Sequence, residues 1–477
     1  MRTATPSRAS AEGARQGYAK RKGIIGWALF DWAAQPYYTL VVTFLFGPYF
    51  VNGFMADPVR GAALWAYATG VAQLISAVLA PVLGAIADAG FPRKPWIAGF
   101  SVLLVVGLLG LWLAIPGDMR FLPIVLVCFV LATIGAELAT VFTNAMMPSL
   151  VPGRRLGTLS GYGWAIGFVG GLISLALVAG FIVADPHTGK TLLGLTPVVP
   201  PDPPTREGDR LIGPFSAIWY LIFVLPLFLF TPDRPGTKLQ TGAVKAGLTQ
   251  LVSALKRLVR EHKQVALFLL ARMLYADGLG AIFAFGGIYA AFVFGWGASE
   301  LGLFGIIITV AATIGAFIGG PLDDRFGSKA VISWTLLLFI VASMGVLSVG
   351  HDHVLLWVPV EPKVLGSAPF SSTGEQVYLA FAALIGIASG PVQAASRTLL
   401  ARMCPPDKLT EFFGFFAFSG KITAFAAPFA IGVVTAATGS QRIGISTSIL
   451  FLVAGLVLLQ WVRAPRACSS AGSGACP

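Results

Sequence analysis

Gly320-Pro321-Leu322-Asp323-Asp324-Arg325-Phe326-Gly327-Ser328-Lys329 is a short polar loop wedged between two long apolar runs. A looser copy stands in the first half, Gly84-Ala85-Ile86-Ala87-Asp88-Ala89-Gly90-Phe91-Pro92-Arg93-Lys94. Both place an acid four residues after a glycine, at the mouth of an apolar segment, with cations just beyond. The copies are offset by 236 residues. A polar loop repeated between membrane-length runs reads as a duplicated unit of helices in lipid.

The composition agrees. Apolar residues make up 56% of the 477 and charged residues 11%, against about a quarter charged in a soluble domain. A run of roughly 20 apolar residues crosses a hydrocarbon core about 30 Å thick as a helix, which satisfies its own backbone. Such runs are predicted at 24–54, 61–87, 95–115, 121–147, 161–184, 214–231, 264–294, 300–321, 330–350, 376–401, 412–437 and 442–462. The expected fold is therefore an all-α membrane protein with twelve transmembrane helices in two pseudo-symmetric six-helix bundles. Its expected parts are a tail at 1–23, a first bundle at 24–231, a linker at 232–263, a second bundle at 264–462 and a tail at 463–477.

A formal charge of +12 would fit nucleic acid if it formed a basic face, but it follows topology instead. Of 33 Lys and Arg, 23 fall on one side: in both tails, the linker and four short loops. Seven fall on the other side and three inside spans. By the positive-inside bias, both termini and the linker are expected in the cytoplasm. In the linker, Leu251, Leu255, Leu258 and Val259 keep helical spacing beside Lys256, Arg257 and Arg260, which reads as a surface-lying amphipathic segment or a soluble connector helix. The polar N-terminal stretch shows no cleavable signal pattern. Cys468 and Cys476 read as plain tail residues, and all four histidines (His187, His262, His351, His353) fall in loops. No Walker loop, zinc spacing or nucleophile elbow is seen, so neither an enzyme nor a cofactor is expected.

The repeat extends beyond the opening loop. Pro152, Leu156 and Gly161 match Pro405, Leu409 and Gly414 at an offset of 253, and Asp31 matches Asp277 at 246. Six ionisable residues lie deep in spans: Asp31, Glu137, Arg272, Asp277, Arg397 and Lys421. Each costs about 2.5–3.5 kcal/mol at the bilayer centre on insertion scales, so such groups face a cavity or a partner. Polar stripes surround them: Trp27, Asp31, Gln35 and Tyr38 in span one; Thr133, Glu137, Thr140 and Asn144 in span four; Ser389, Gln393, Ser396 and Arg397 in span ten. Span seven carries Arg272, Tyr275 and Asp277 ahead of Gly278 and Gly280, where the helix is expected to loosen. Candidate solute-binding residues are Asp31, Gln35, Tyr38, Glu137, Asn144, Asp277, Gln393, Arg397 and Lys421. Arg397 and Lys421 suit a carboxylate, Asp31 or Asp277 an ammonium group, and Glu137 a proton. Pairs such as Glu137 with Lys421, or Asp31 with Arg397, would instead lock two halves together. Three acids against three bases favour a zwitterionic solute.

The opening loops resemble the signature of the major facilitator superfamily. Phe30-Asp31-Trp32-Ala33-Ala34-Gln35-Pro36-Tyr37-Tyr38-Thr39 with Phe46-Gly47-Pro48-Tyr49-Phe50 resembles its vacuole-effluxer family more narrowly. So do Asn144-Ala145-Met146-Met147-Pro148, Leu274-Tyr275-Ala276-Asp277-Gly278 and Gln393-Ala394-Ala395-Ser396-Arg397. The resemblance implies two bundles rocking about a central cavity, with efflux of amino acids. It also implies a conformational latch at Gly84, Asp88, Arg93, Gly320, Asp324, Arg325, Gly327 and Lys329, where Arg325 and Lys329 partner the acids. Ala89 departs from the usual Arg, which implies a reorganised latch in the first half. The expectation is thus a secondary transporter in a bacterial plasma membrane, monomeric, moving an amino-acid-like solute outward with protons. A drug or lipid-like exporter would show an apolar cavity, and a non-transporting receptor or scaffold would show no flux. The partners expected are a small solute, the lipid bilayer and protons, and no nucleic acid.

Overall fold

The structure, a computed structural model, describes residues 18–184, 188–199, 204–233, 255–364 and 368–464. The tail cysteines, His187, Leu251 and most of the linker lie outside the described residues. Helices α1 (Arg21–Pro36), α2 (Pro58–Asp88), α3 (Arg93–Gly110), α4 (Leu122–Met146), α5 (Leu156–Phe181) and α6 (Ile212–Phe230) make up the first half. The second half has α7 (Lys263–Phe294), α8 (Ala298–Phe326), α9 (Ser328–Leu347), α10 (Thr373–Met403), α11 (Leu409–Ser419), α12 (Ala426–Thr438) and α13 (Gln441–Gln460). A small hairpin, β1 (His353–Val354) with β2 (Val358–Pro359), sits between α9 and α10.

Ten of the helical segments are long and apolar enough to cross a membrane. The first and eleventh expected spans are the two exceptions, because each is interrupted. Pro36 ends α1, and the chain continues as a π-helical turn over Tyr37–Phe44. Proline has no N–H to offer the Trp32 carbonyl; the Trp219 indole of α6 donates to it instead, at 3.2 Å. The eleventh segment breaks between α11 and α12, and Lys421 lies in that break. Span seven does not loosen as expected: α7 runs unbroken through Gly278, which packs against Leu452 of α13.

The outer faces are apolar and exposed, as Val102, Val106 and Leu109 on α3 and Leu221, Leu225 and Leu229 on α6 show. A patch of that extent would drive association in water but is at rest in hydrocarbon. In the linker, residues 255–261 are helical, with Leu258 buried and Leu255 and Val259 exposed. Arg257 reaches to 3.7 Å from Glu411.

The halves meet tightly at one end. A Cβ placed on Gly161 of α5 would lie 2.7 Å from the Ala316 carbonyl oxygen and 2.7 Å from Gly320 Cα of α8. The matching crossing of α2 with α11 uses Gly84 against the Thr410 carbonyl and Gly414 against Pro81. These four glycines are related by the offsets of 236 and 253 that relate the sequence repeats. Close approach is what the missing side chains permit there.

Candidate functional site: a charged cavity between the halves

A cavity of about 850 Å³ lies between the halves, and a lobe of about 270 Å³ shares part of its wall. Helical spacing decides what faces it. Asp31, Gln35 and Tyr38 come from the first segment, Glu137, Thr140 and Asn144 from α4, Ser389, Gln393 and Arg397 from α10, and Lys421 from the break after α11. Eight of the nine expected solute-binding residues therefore line one space. Thr133 does not; its hydroxyl pairs with that of Tyr37 at 2.7 Å.

Asp277 is the exception. It is buried, does not line the cavity, and among the described residues neither carboxylate oxygen has a partner within hydrogen-bond geometry, Thr423 being the polar side chain beside it. The reason is angular. Arg272, Tyr275, Ala276, Leu279, Gly280 and Phe283 share one face of α7 and line the lobe. Asp277, five residues beyond Arg272, points about 140° away around the helix at 100° per residue. The apparent balance of three acids and three bases therefore fails within the cavity.

Two ion pairs cross between the halves, and both are pairs expected from the sequence. Lys421 Nζ donates to Glu137 Oε1 at 2.8 Å. Arg397 Nη1 lies 3.4 Å from Asp31 Oδ2 and donates to Asn144 Oδ1 at 2.8 Å. Its Nε and Nη2 donate to the hydroxyl and carbonyl of Ser160 at 2.9 and 2.8 Å. The guanidinium also lies against the Trp27 and Trp164 rings, 5.2 and 5.9 Å from their centroids. Arg397 is 3% exposed, and every nitrogen of its fork is engaged within the protein. It joins the two halves in this state, with its fork taken up by Asp31, Asn144 and Ser160 while it lines the cavity.

At the tightly packed end, the two loop acids cap helices of the opposite half. Asp324, at the end of α8, accepts from the Gly157 and Thr158 amides at 2.7 and 2.8 Å, in the first turn of α5. Asp88, at the end of α2, accepts from the Glu411 amide at 2.9 Å and the Thr410 hydroxyl at 2.7 Å, in the first turn of α11. A carboxylate there satisfies orphan N–H groups and meets the positive end of the helix dipole. Arg93 stands 3.5 Å from Asp88 and donates to Thr410 at 3.0 Å. That arginine does in the first half what Ala89 cannot.

The cationic partner in the second half differs from the expectation. Arg402 of α10 bridges Asp323 at 2.6 Å and Asp324 at 2.9 Å. Arg325 instead lies over the Phe326 ring, and Lys329 donates to the Gln460 and Val462 carbonyls. Lys329 follows the chain reversal at Gly327, whose φ is 88°, whereas Arg325, next to Asp324 on α8, projects about 100° further round the helix. Arg402 carries no signal of its own in the sequence beyond its place near the end of span ten. Asp324→Ala is expected to cost about 1–2 kcal/mol through the lost cap, read as a lower unfolding temperature in detergent. The double variant with Arg402→Ala should cost less than the sum, because the two share one contact.

An all-helical bundle whose repeated halves enclose a charged cavity defines a membrane transporter rather than an enzyme. Solved structures share the fold. The Escherichia coli fucose:proton symporter superposes with a TM-score of 0.66 at 15% identity, over 93% of this chain and 98% of that one. The proton:xylose symporter XylE gives 0.65 at 14% identity, over 94% and 95%. The chain belongs to the vacuole effluxer Atg22-like family, whose profile matches residues 49–157 and 153–472. Among its relatives, the Bacillus subtilis "Uncharacterized MFS-type transporter YxiO" is 26% identical over 439 residues, covering 91% of this chain and 94% of the relative. Autophagy-related protein 22 of Cryptococcus neoformans is 26% identical over 315 residues. That match covers 65% of this chain and 53% of the fungal protein, so the chain spans about half the length of that relative.

Proposed function

We propose that the chain is a secondary active transporter working by alternating access, with twelve spans in two six-helix bundles (24–231 and 264–462) that rock about the cavity. The first and eleventh spans are the interrupted ones. By the cation bias, both termini and the tightly packed end face the cytoplasm of a bacterial plasma membrane, so the cavity opens outward in this state. The cargo is a small polar solute of amino-acid kind, carried outward, with Glu137 as the group that takes a proton when Lys421 swings away. The observation that supports this reading is the pair of ionic contacts crossing the cavity. Each joins one half to the other and must break for the packed end to open.

Charged groups from five segments favour a polar solute, although the wall as a whole is mostly apolar, with Phe44, Phe168, Phe283, Phe304 and Phe413 on it, as a drug or lipid-like exporter would require. Purified protein in liposomes tests the reading by counterflow of a panel of labelled amino acids and short organic acids. Exchange above protein-free liposomes is expected, with Glu137→Gln keeping exchange but losing accumulation driven by a pH gradient. Flux equal to protein-free liposomes across the panel would overturn the reading and favour a receptor or scaffold.

A further inference from the structure

The ionisable residues on the cavity walls are Asp31, Glu137, Arg272, Arg397 and Lys421. Three cations stand against two acids, leaving one positive charge in excess. Both acids are already matched, Asp31 by Arg397 and Glu137 by Lys421. Among the described residues, no acid lies within ion-pair distance of Arg272. Its Nη1 donates to the Phe416 carbonyl at 2.6 Å and to the Ser419 hydroxyl at 3.1 Å. No hydrogen bond is made by its Nε or Nη2 among the described residues, and the guanidinium carbon lies over the Phe416 ring, 3.4 Å from the centroid. A planar fork fixed by a ring and two acceptors, with donors left over and a cavity beside it, is preorganised for a carboxylate.

We infer that Arg272 is an anion receptor and that the preferred cargo carries net negative charge, a short organic carboxylate rather than a zwitterion. This rests on the transporter reading and departs from its amino-acid-like cargo: the solute keeps the carboxylate and lacks the ammonium group. A zwitterion's ammonium group would find each cavity acid taken by an internal cation, whereas a single carboxylate restores neutrality in a low-dielectric space. The lobe beside Arg272 is walled by Leu279, Phe283, Val392 and Phe416, so an aliphatic body fits behind the charged head.

The test is binding of isocaproate, leucine and leucinamide to the purified full-length protein by calorimetry. The three share one carbon skeleton and carry net charges of minus one, zero and plus one. Isocaproate is expected to bind at least about tenfold tighter than leucine, with leucinamide weakest. Arg272→Gln should weaken isocaproate about 10- to 100-fold, as befits loss of charge-assisted hydrogen bonds. Arg272→Lys, which keeps the charge without the fork, should fall between, and circular dichroism confirms that each variant is folded. Leucine binding as tightly as isocaproate, an unchanged isocaproate affinity in Arg272→Gln, or no binding by any of the three overturns the inference. Leucine bound and exchanged in preference to isocaproate would end the anion assignment and leave the transporter reading standing. Isocaproate binding without counterflow of any solute would do the reverse.

Discussion

Arg397→Ala is expected to destabilise the fold by on the order of 3 kcal/mol, the largest effect of any single substitution considered. Its guanidinium is engaged on all three nitrogens, by Ser160 twice, by Asn144 and by Asp31. Removing it leaves an acid, an amide oxygen and a backbone carbonyl without their donor at bilayer depth, where water cannot easily replace it. Arg397→Lys should recover part of the loss, since one ammonium cannot reach four acceptors on three helices. The check is thermal unfolding in detergent of Arg397→Ala, Asp31→Asn and the double variant. Because both groups belong to one network, the double variant should be less destabilised than the sum by roughly 1–3 kcal/mol. Additive losses would mean that the pair is incidental and that Arg397 is held by its other contacts.

The second large effect concerns motion. Gly161→Val inserts a branched side chain where a Cβ alone would approach the Ala316 carbonyl and Gly320 Cα to 2.7 Å. Backbone cannot yield as a flexible side chain does, so α5 and α8 must separate. The packed end should then open, shifting the population toward the opposite state by tenfold or more for each ~1.4 kcal/mol of strain. Cys404, at the end of α10, reports on this directly, because it is 8% exposed at the packed end. With Cys128, Cys468 and Cys476 replaced by serine, a hydrophilic maleimide should label Cys404 slowly in the parent. In Gly161→Val, labelling should be at least about tenfold faster. Equal rates would show that this crossing does not hold the end shut.

Much of this arrangement could be read from the chain, and the reasons for success and failure are physical. Duplication leaves two copies of each local device, so Gly84 with Asp88 and Gly320 with Asp324 identify each other without any structure. Angular periodicity likewise carries most of the stripes of spans one, four and ten onto the cavity wall, Trp27 and Thr133 excepted. The same periodicity, applied to span seven, separates Arg272 from Asp277; matching Asp277 to Asp31 by repeat offset obscured that. The matched offset aligns backbone positions and not the faces they present. The break at Lys421 was not visible, because Ser419-Gly420-Lys421-Ile422-Thr423 interrupts an otherwise continuous apolar run with only one glycine. Arg402 was missed because its role depends on where α10 ends relative to α8, a tertiary relation with no local pattern. The Trp219 contact that compensates Pro36 is of the same kind.

The central question is whether the buried ionisable groups meet around a space that solute and water can enter. Single cysteines at Gln35, Thr140, Gln393 and Asp277, in a background without native cysteines, measure this by labelling with a small hydrophilic thiol reagent. The first three should label at comparable rates and be protected by a bound solute, while Asp277→Cys, behind α7, should stay unlabelled. Labelling of Asp277→Cys as fast as Gln393→Cys, or no labelling at the other three positions, would contradict the shared cavity.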